Sequence, residues 1–146
     1  MRRLKRFVQI PGAERRLLIC ALFVAGIARV SLRVLSLEKS HRVVARVAAV
    51  GSGGDSVEQL MWAVSAASRF LAGTTCLAQA IAGQALLNHS GFSSQVEIGV
   101  AKDEAEQGLR AHAWVVCRGQ VVLGEQPGAR YNSLMVWDQL GQRQCR

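Results

Sequence analysis

Four cysteines (Cys20, Cys76, Cys117 and Cys145) and three histidines (His41, His89 and His112) are the side chains best suited to nucleophilic and acid–base chemistry in this 146-residue chain. A thiol attacks as its thiolate, so the question is which cysteine sits where negative charge is stabilised. Cys76 follows Thr74-Thr75 and opens the run CLAQAIAGQALLN. That run is predicted to be a helix, roughly Cys76–Asn88, which places the thiol in the first turn. There, free N–H groups and the positive end of the helix dipole favour S⁻. Cys20 falls inside an apolar helix, Cys117 at a hairpin corner and Cys145 in the tail, and none has an evident activating partner. No CxxC pair occurs, so a zinc site is not expected; Gly51–Gly54 lacks the Lys-Ser/Thr ending of a phosphate loop, and no cofactor is expected. In a cytoplasmic chain, the expected setting, all four cysteines are free thiols.

The base must come from the histidines. His41 lies in a basic segment. His89 lies at a helix C-terminus, where a cation is favoured without any catalytic role. His112 sits on a strand between Ala111 and Ala113, small neighbours that leave an imidazole accessible. A carboxylate that fixes its tautomer would complete a triad. Glu125 and Asp138 follow His112, whereas Asp103, Glu104 and Glu106 belong to a polar loop. With Arg118-Gly119 as a two-residue turn, simple pairing places His112 opposite Glu125; a three-residue turn would place Gly124 there. Glu125 is the expected third member and Asp138 the alternative.

These residues need elements to hold them. Gly12 to about Leu37 reads as one long helix and Leu37–Val50 as a second, with Arg42 and Arg46 on one face. Gly51–Gly54 reads as a linker. Asp55 and Glu58 have capping-box spacing for a third helix, whose apolar stripe is Val57, Leu60, Met61, Val64, Ala67 and Leu71. Gly73 ends it. The Cys76 helix is small or apolar nearly all round and should be buried, with Gly83 allowing a neighbouring backbone to approach and Gly91 marking the exit. The period then changes to two. Gln95–Val100, Ala111–Cys117 and Gln120–Gly124 read as strands, with a polar loop at Ala101–Arg110. Helices followed by an antiparallel sheet indicate an α+β fold. The chain divides into a basic helical region, 1–50, and a catalytic core, 51–146.

The net charge of +8 is unevenly placed: residues 1–46 hold eleven Lys/Arg against Glu14 and Glu38, and the rest hold seven against eight Asp/Glu. Base-stacking aromatics are not interleaved with the arginines, so a nucleic-acid partner is not expected. The apolar run Leu17–Ala28 is short of the roughly 20 residues of a spanning helix. It reads as a core-facing helix, with surface attachment to a membrane as the lesser alternative.

The stretch Thr74–Glu125 resembles the lasso-peptide leader peptidases, transglutaminase-like (papain-like) cysteine peptidases. The matching elements are Cys76-Leu77 opening an Ala/Leu-rich helix, Gly91, Ile98-Gly99-Val100, Ala111-His112-Ala113-Trp114-Val115, Gly119 and Val122-Leu123-Gly124. Family members often carry Asp near Glu125. The resemblance implies that Cys76 attacks a peptide bond of a ribosomal precursor peptide and that His112 protonates the leaving amine. A leader is then released before an ATP-dependent cyclase closes the macrolactam. Fuller members carry a leader-recognition domain, so the length here implies a separate recognition protein, for which the basic helices are a candidate docking surface. A non-catalytic adaptor that binds a membrane or acidic partner is the rival of another class. An acyltransferase on the same fold is the second rival.

Overall fold

A computed structural model describes residues 11–49, 54–103, 108–126, 131–138 and 143–145. Among the described residues four helices come first: α1 Gly12–Val34, α2 Leu37–Ala48, α3 Val57–Phe70 and α4 Cys76–His89. Five strands follow: β1 Ser94–Asp103, β2 Gly108–Cys117, β3 Gln120–Leu123, β4 Asn132–Trp137 and β5 Arg143–Cys145. The fold is α+β, as the pattern of helices before strands implies.

The first long helix stops short of Leu37. Leu35 is extended, and Ser36, an N-cap residue type, takes up the extended geometry that starts α2. Leu17, Leu18, Ala21, Val24, Ala25 and Ala28 form the buried stripe of α1. The N-cap of α3 is Ser56, one residue later than Asp55. Ser56 Oγ accepts from the Gln59 N–H at 3.3 Å, and Gln59 Oε1 accepts from the Ser56 N–H at 3.0 Å. Asp55 and Ser56 are both capping residue types, and Glu58 and Gln59 are both suitable partners, so either register satisfies the motif. α3 ends at Phe70, before Gly73.

α4 is the buried centre. Thr75 caps it, with Oγ1 accepting from the Ala78 N–H at 3.2 Å. At its far end the N–H groups of Gly91 and Phe92 return to the carbonyls of Asn88 and Leu87. Gly91, at φ +86°, supplies the left-handed residue of this Schellman closure. Gly83 permits close approach, but by side chains: an added Cβ would lie 2.7 Å from Leu123 Cδ2 and 3.6 Å from the Met61 side chain. One apolar core joins α1–α4 to the inner face of the sheet.

The sheet order is β3-β2-β1-β4-β5, all antiparallel. β1 and β2 pair from Ser94↔Cys117 to Asp103↔Gly108, so both extend into the stretch expected to be loop. Alternation along this ladder gives each face its role. Val96, Ala113 and Val115 are buried toward the helices. Gly99, His112 and Trp114 share the other face, where a Cβ on Gly99 would lie 2.7 Å from Trp114 Cη2.

Candidate active site

Cys76 is the first residue of α4 and is half-buried. Thr75 occupies the N–H of Ala78, which leaves the N–H groups of Cys76 and Leu77 without helical partners. The dipole of the helix also directs its positive end at this turn. The other described cysteines differ. Cys117 is buried in the core, and the Cys20 thiol is pushed up from its ordinary range by burial and by the Asp55 carboxylate. Cys145 lies in β5.

Two contacts set the height of Cys76 on the sheet. Gln84 bonds to the Ser94 carbonyl, while Leu77, Ile81, Val96 and Ile98 meet around one small cavity. α4 therefore runs antiparallel to β1 and parallel to β2. Gly83 touches Leu123, which pairs with Val115. From there to Cys76 is seven helical residues, about 10.5 Å, and from Val115 to His112 is three strand residues, about 10 Å. Thiol and imidazole thus reach the same level. They stand on different sides of β2: α4 packs on the face of Ala113 and Val115, and His112 projects from the face of Trp114. No hydrogen bond joins Cys76 to His112 among the described residues.

His112 is held firmly. It is 9% exposed, and its Nε2 lies 2.6 Å from the Gly124 carbonyl oxygen. A carbonyl only accepts, so Nε2 carries the proton and Nδ1 is the ring nitrogen left to serve as base. The Trp114 and Tyr131 rings lie at centroid distances of 6.2 Å and 5.2 Å from the imidazole.

The orienting partner is therefore the residue before Glu125. The turn has two residues, Arg118 and Gly119, both at positive φ. Cys117↔Gln120 and Val116↔Val121 pair as simple counting requires. Val115 then pairs with Leu123, leaving Val122 as the extra residue of a bulge. The expected placement of Glu125 directly opposite His112 fails for this reason. Gly124 adopts φ +84° beside β2, where an added Cβ would meet the Ala113 carbonyl oxygen at 3.0 Å and Trp114 Cα at 3.2 Å. That conformation delivers its carbonyl to His112.

Glu125 is exposed but shares an open cavity of ≈ 280 Å³ with His112, Trp114, Gly124, Gln126 and Tyr131. Tyr131 donates its hydroxyl to Gln126 Oε1 at 2.6 Å. Cys76 is not among the residues lining this cavity. Asp138 is remote. Gly99 pairs with both His112 and Ser133, and Asp138 lies five residues beyond Ser133. Leu134 is an extra residue at the Ile98/Gly99 register shift, so two strand spacings and four ladder positions separate Asp138 from His112 by roughly 16 Å. Among the described residues no cluster of three His, Cys, Asp or Glu side chains could hold a metal ion.

A family model, the transglutaminase-like superfamily, matches the chain over residues 17–136, a span that holds most of α1, the helices α2–α4 and the strands β1–β3. The chain belongs to the transglutaminase-like superfamily. Domains of this superfamily are typically cysteine-dependent enzymes, which include peptidases and acyltransferases. No curated protein and no solved structure matches the chain. The match crosses residue 50, and the transglutaminase-like domain draws α1 and α2 into the same core as α4.

Sequence reasoning missed the polar tie that anchors the helix carrying Cys76. Gln84 is fully buried. Its Nε2 donates to the carbonyls of Ser94 and Trp137, at 3.1 and 3.0 Å. With the amide nitrogen so used, its Oε1 faces His41 Nε2 at 2.6 Å and accepts from it. The tie joins α2, α4, β1 and β4. A polar residue in an apolar helix was the available signal: buried Gln persists only where its amide is satisfied.

Proposed function

We propose that this transglutaminase-like chain is a cysteine peptidase that removes the leader from a ribosomally made lasso-peptide precursor. The observation that carries the reading is the position of Cys76 at the capped start of α4, level with an imidazole whose Nε2 is engaged by Gly124. The resemblance of Thr74–Glu125 to the leader peptidases supplies the substrate class.

In this mechanism the Cys76 thiol gives its proton to Nδ1 of His112, and the sulfur attacks the scissile carbonyl carbon. The oxyanion that forms is met by the unpaired N–H groups of the first turn of α4. The imidazolium then protonates the amine as the C–N bond breaks, releasing the core peptide with a free N-terminus. Water, deprotonated by His112, hydrolyses the thioester and frees the leader. Thiol and imidazole stand on different sides of β2 in the free protein. This mechanism therefore requires substrate binding to bring the first turn of α4 and the His112 ring to one side of the strand, a larger change than the tightening of a long contact. Glu125, in the His112 cavity, stabilises the charged ring. The core peptide is the substrate of an ATP-dependent cyclase.

A separate leader-recognition protein presents the precursor, raising its local concentration. Exposed Lys39, Arg42 and Arg46 on α2 form its docking face. Reversing charge at Arg42 and Arg46 should slow only the partner-stimulated cleavage; an unchanged stimulation places docking elsewhere. The function itself is tested by incubating chain, precursor and recognition protein and weighing the products. Two fragments whose masses sum to precursor plus water support hydrolysis. Transfer of the leader to an added amine indicates an acyltransferase. No product at all rejects both.

A further inference from the structure

Helix α1 has two apolar faces, and only one is used by the core. On the other, Ile19 is 53% exposed, Phe23 63%, Val30 59% and Val34 72%. At about 100° per residue these four fall within an arc of about 60°, and they extend over about 22 Å of helix. Gly26 borders this arc, about 20° beyond its edge, with nothing within 4 Å of where its Cβ would be. Exposed Arg15 and Arg16 flank the strip at one end and exposed Arg33 at the other. No carboxylate shares the arc, since Glu14 projects from the opposite side of the helix, about 140° away.

We propose that this face binds an anionic lipid surface, with α1 lying in the plane of the bilayer. The strip offers apolar side chains and no hydrogen-bonding group, as the acyl boundary requires, and its arginines stand where phosphate headgroups would be. The excess of Lys/Arg over residues 1–46 adds long-range attraction to the same surface. α1 does not cross the bilayer in this arrangement. Its other face, Leu17, Leu18, Ala21, Val24, Ala25 and Ala28, is buried in the domain core, and spanning would tear that face from α3 and α4. Surface attachment of this kind is independent of whether Cys76 is catalytic.

The test is co-sedimentation of the full chain with phosphatidylcholine vesicles, with and without phosphatidylglycerol. Binding is expected only with the anionic lipid, and it should weaken as salt rises. Phe23→Asp, at an exposed position, should keep the helical circular dichroism and reduce partitioning about tenfold or more. Phe23→Trp should give tryptophan emission that shifts to the blue on anionic vesicles, beyond any shift of the parent chain. Absence of binding to anionic vesicles overturns the proposal. So does undiminished binding of Phe23→Asp, which would assign the attraction to the basic residues alone. A dimer in solution that Phe23→Asp converts to monomer, without vesicle binding, would show that a second copy covers the face.

Discussion

Gly124→Ala isolates the role of the carbonyl that holds His112. The substitution has two structural consequences. An L-residue at φ +84° costs about 1–2 kcal/mol in backbone energy. The new Cβ would also lie 3.0 Å from the Ala113 oxygen and 3.2 Å from Trp114 Cα and Cβ, mostly strand backbone that cannot swing aside. The segment must turn, and its carbonyl leaves Nε2. One neutral hydrogen bond contributes about 0.5–1.5 kcal/mol, so loss of orientation alone should lower kcat/KM about tenfold. Loss of the preferred tautomer adds to this, since Nδ1 must be unprotonated to accept the thiol proton. We expect a fall of about 10- to 100-fold, together with a Tm lowered by roughly 3–9 °C for a domain of this size. Precursor cleavage followed by mass spectrometry, well below the lowered Tm, gives the rate. Nitrogen-15 spectra of labelled histidine give the tautomer: a single Nε2–H form for His112 in the parent and a mixture in the variant. A variant that keeps the parental rate and the Nε2–H tautomer refutes the assignment.

Three further outcomes follow from the same geometry. Glu125→Gln should slow cleavage about tenfold, because an exposed carboxylate in a solvated cavity acts at high effective dielectric; Asp138→Asn, remote from His112, should stay within about twofold, and the reverse order would move the acid role to Asp138. Iodoacetamide near neutral pH should alkylate Cys76 first, as read by peptide mass mapping. Cys117 is shielded by burial, and the neutral form of the Cys20 thiol is favoured by burial and Asp55, so its alkylation should rise only at higher pH. Gln84→Leu should destabilise the fold by about 3 kcal/mol or more, since it strands His41 and the carbonyls of Ser94 and Trp137, and thermal unfolding should show a Tm lower by about 10 °C.

Much of this arrangement is legible in the residues themselves, because the signals are local. Thr75 before an apolar run marks the start of α4, and Gly91 its exit. Arg118-Gly119 between two valine-rich runs, Val115-Val116 and Val121-Val122, marks the hairpin. What escapes the sequence is set by distant partners. The Val122 bulge goes with a close approach of Gly124 to Trp114, a fit that counting residues along a hairpin cannot show. β4 pairs with β1 some thirty to forty residues earlier, and Asn132–Trp137 alone has little to distinguish a strand from a loop. Tyr131, beside His112 in space, is nineteen residues from it in sequence. The exposed strip of α1 was hidden in a different way: an apolar helix predicts burial, but not which of two apolar faces meets the core.

The central claim is that Cys76 forms the acyl-enzyme. It is tested most directly by quenching the reaction with acid at early times and mapping the thioester by mass spectrometry. The mechanism predicts a leader-derived acyl group on the peptide containing Cys76, transient in the parent enzyme and missing in Cys76→Ala, which should release no core peptide. Turnover by Cys76→Ala, or an acyl group found on Cys20, Cys117 or Cys145 instead, would contradict it.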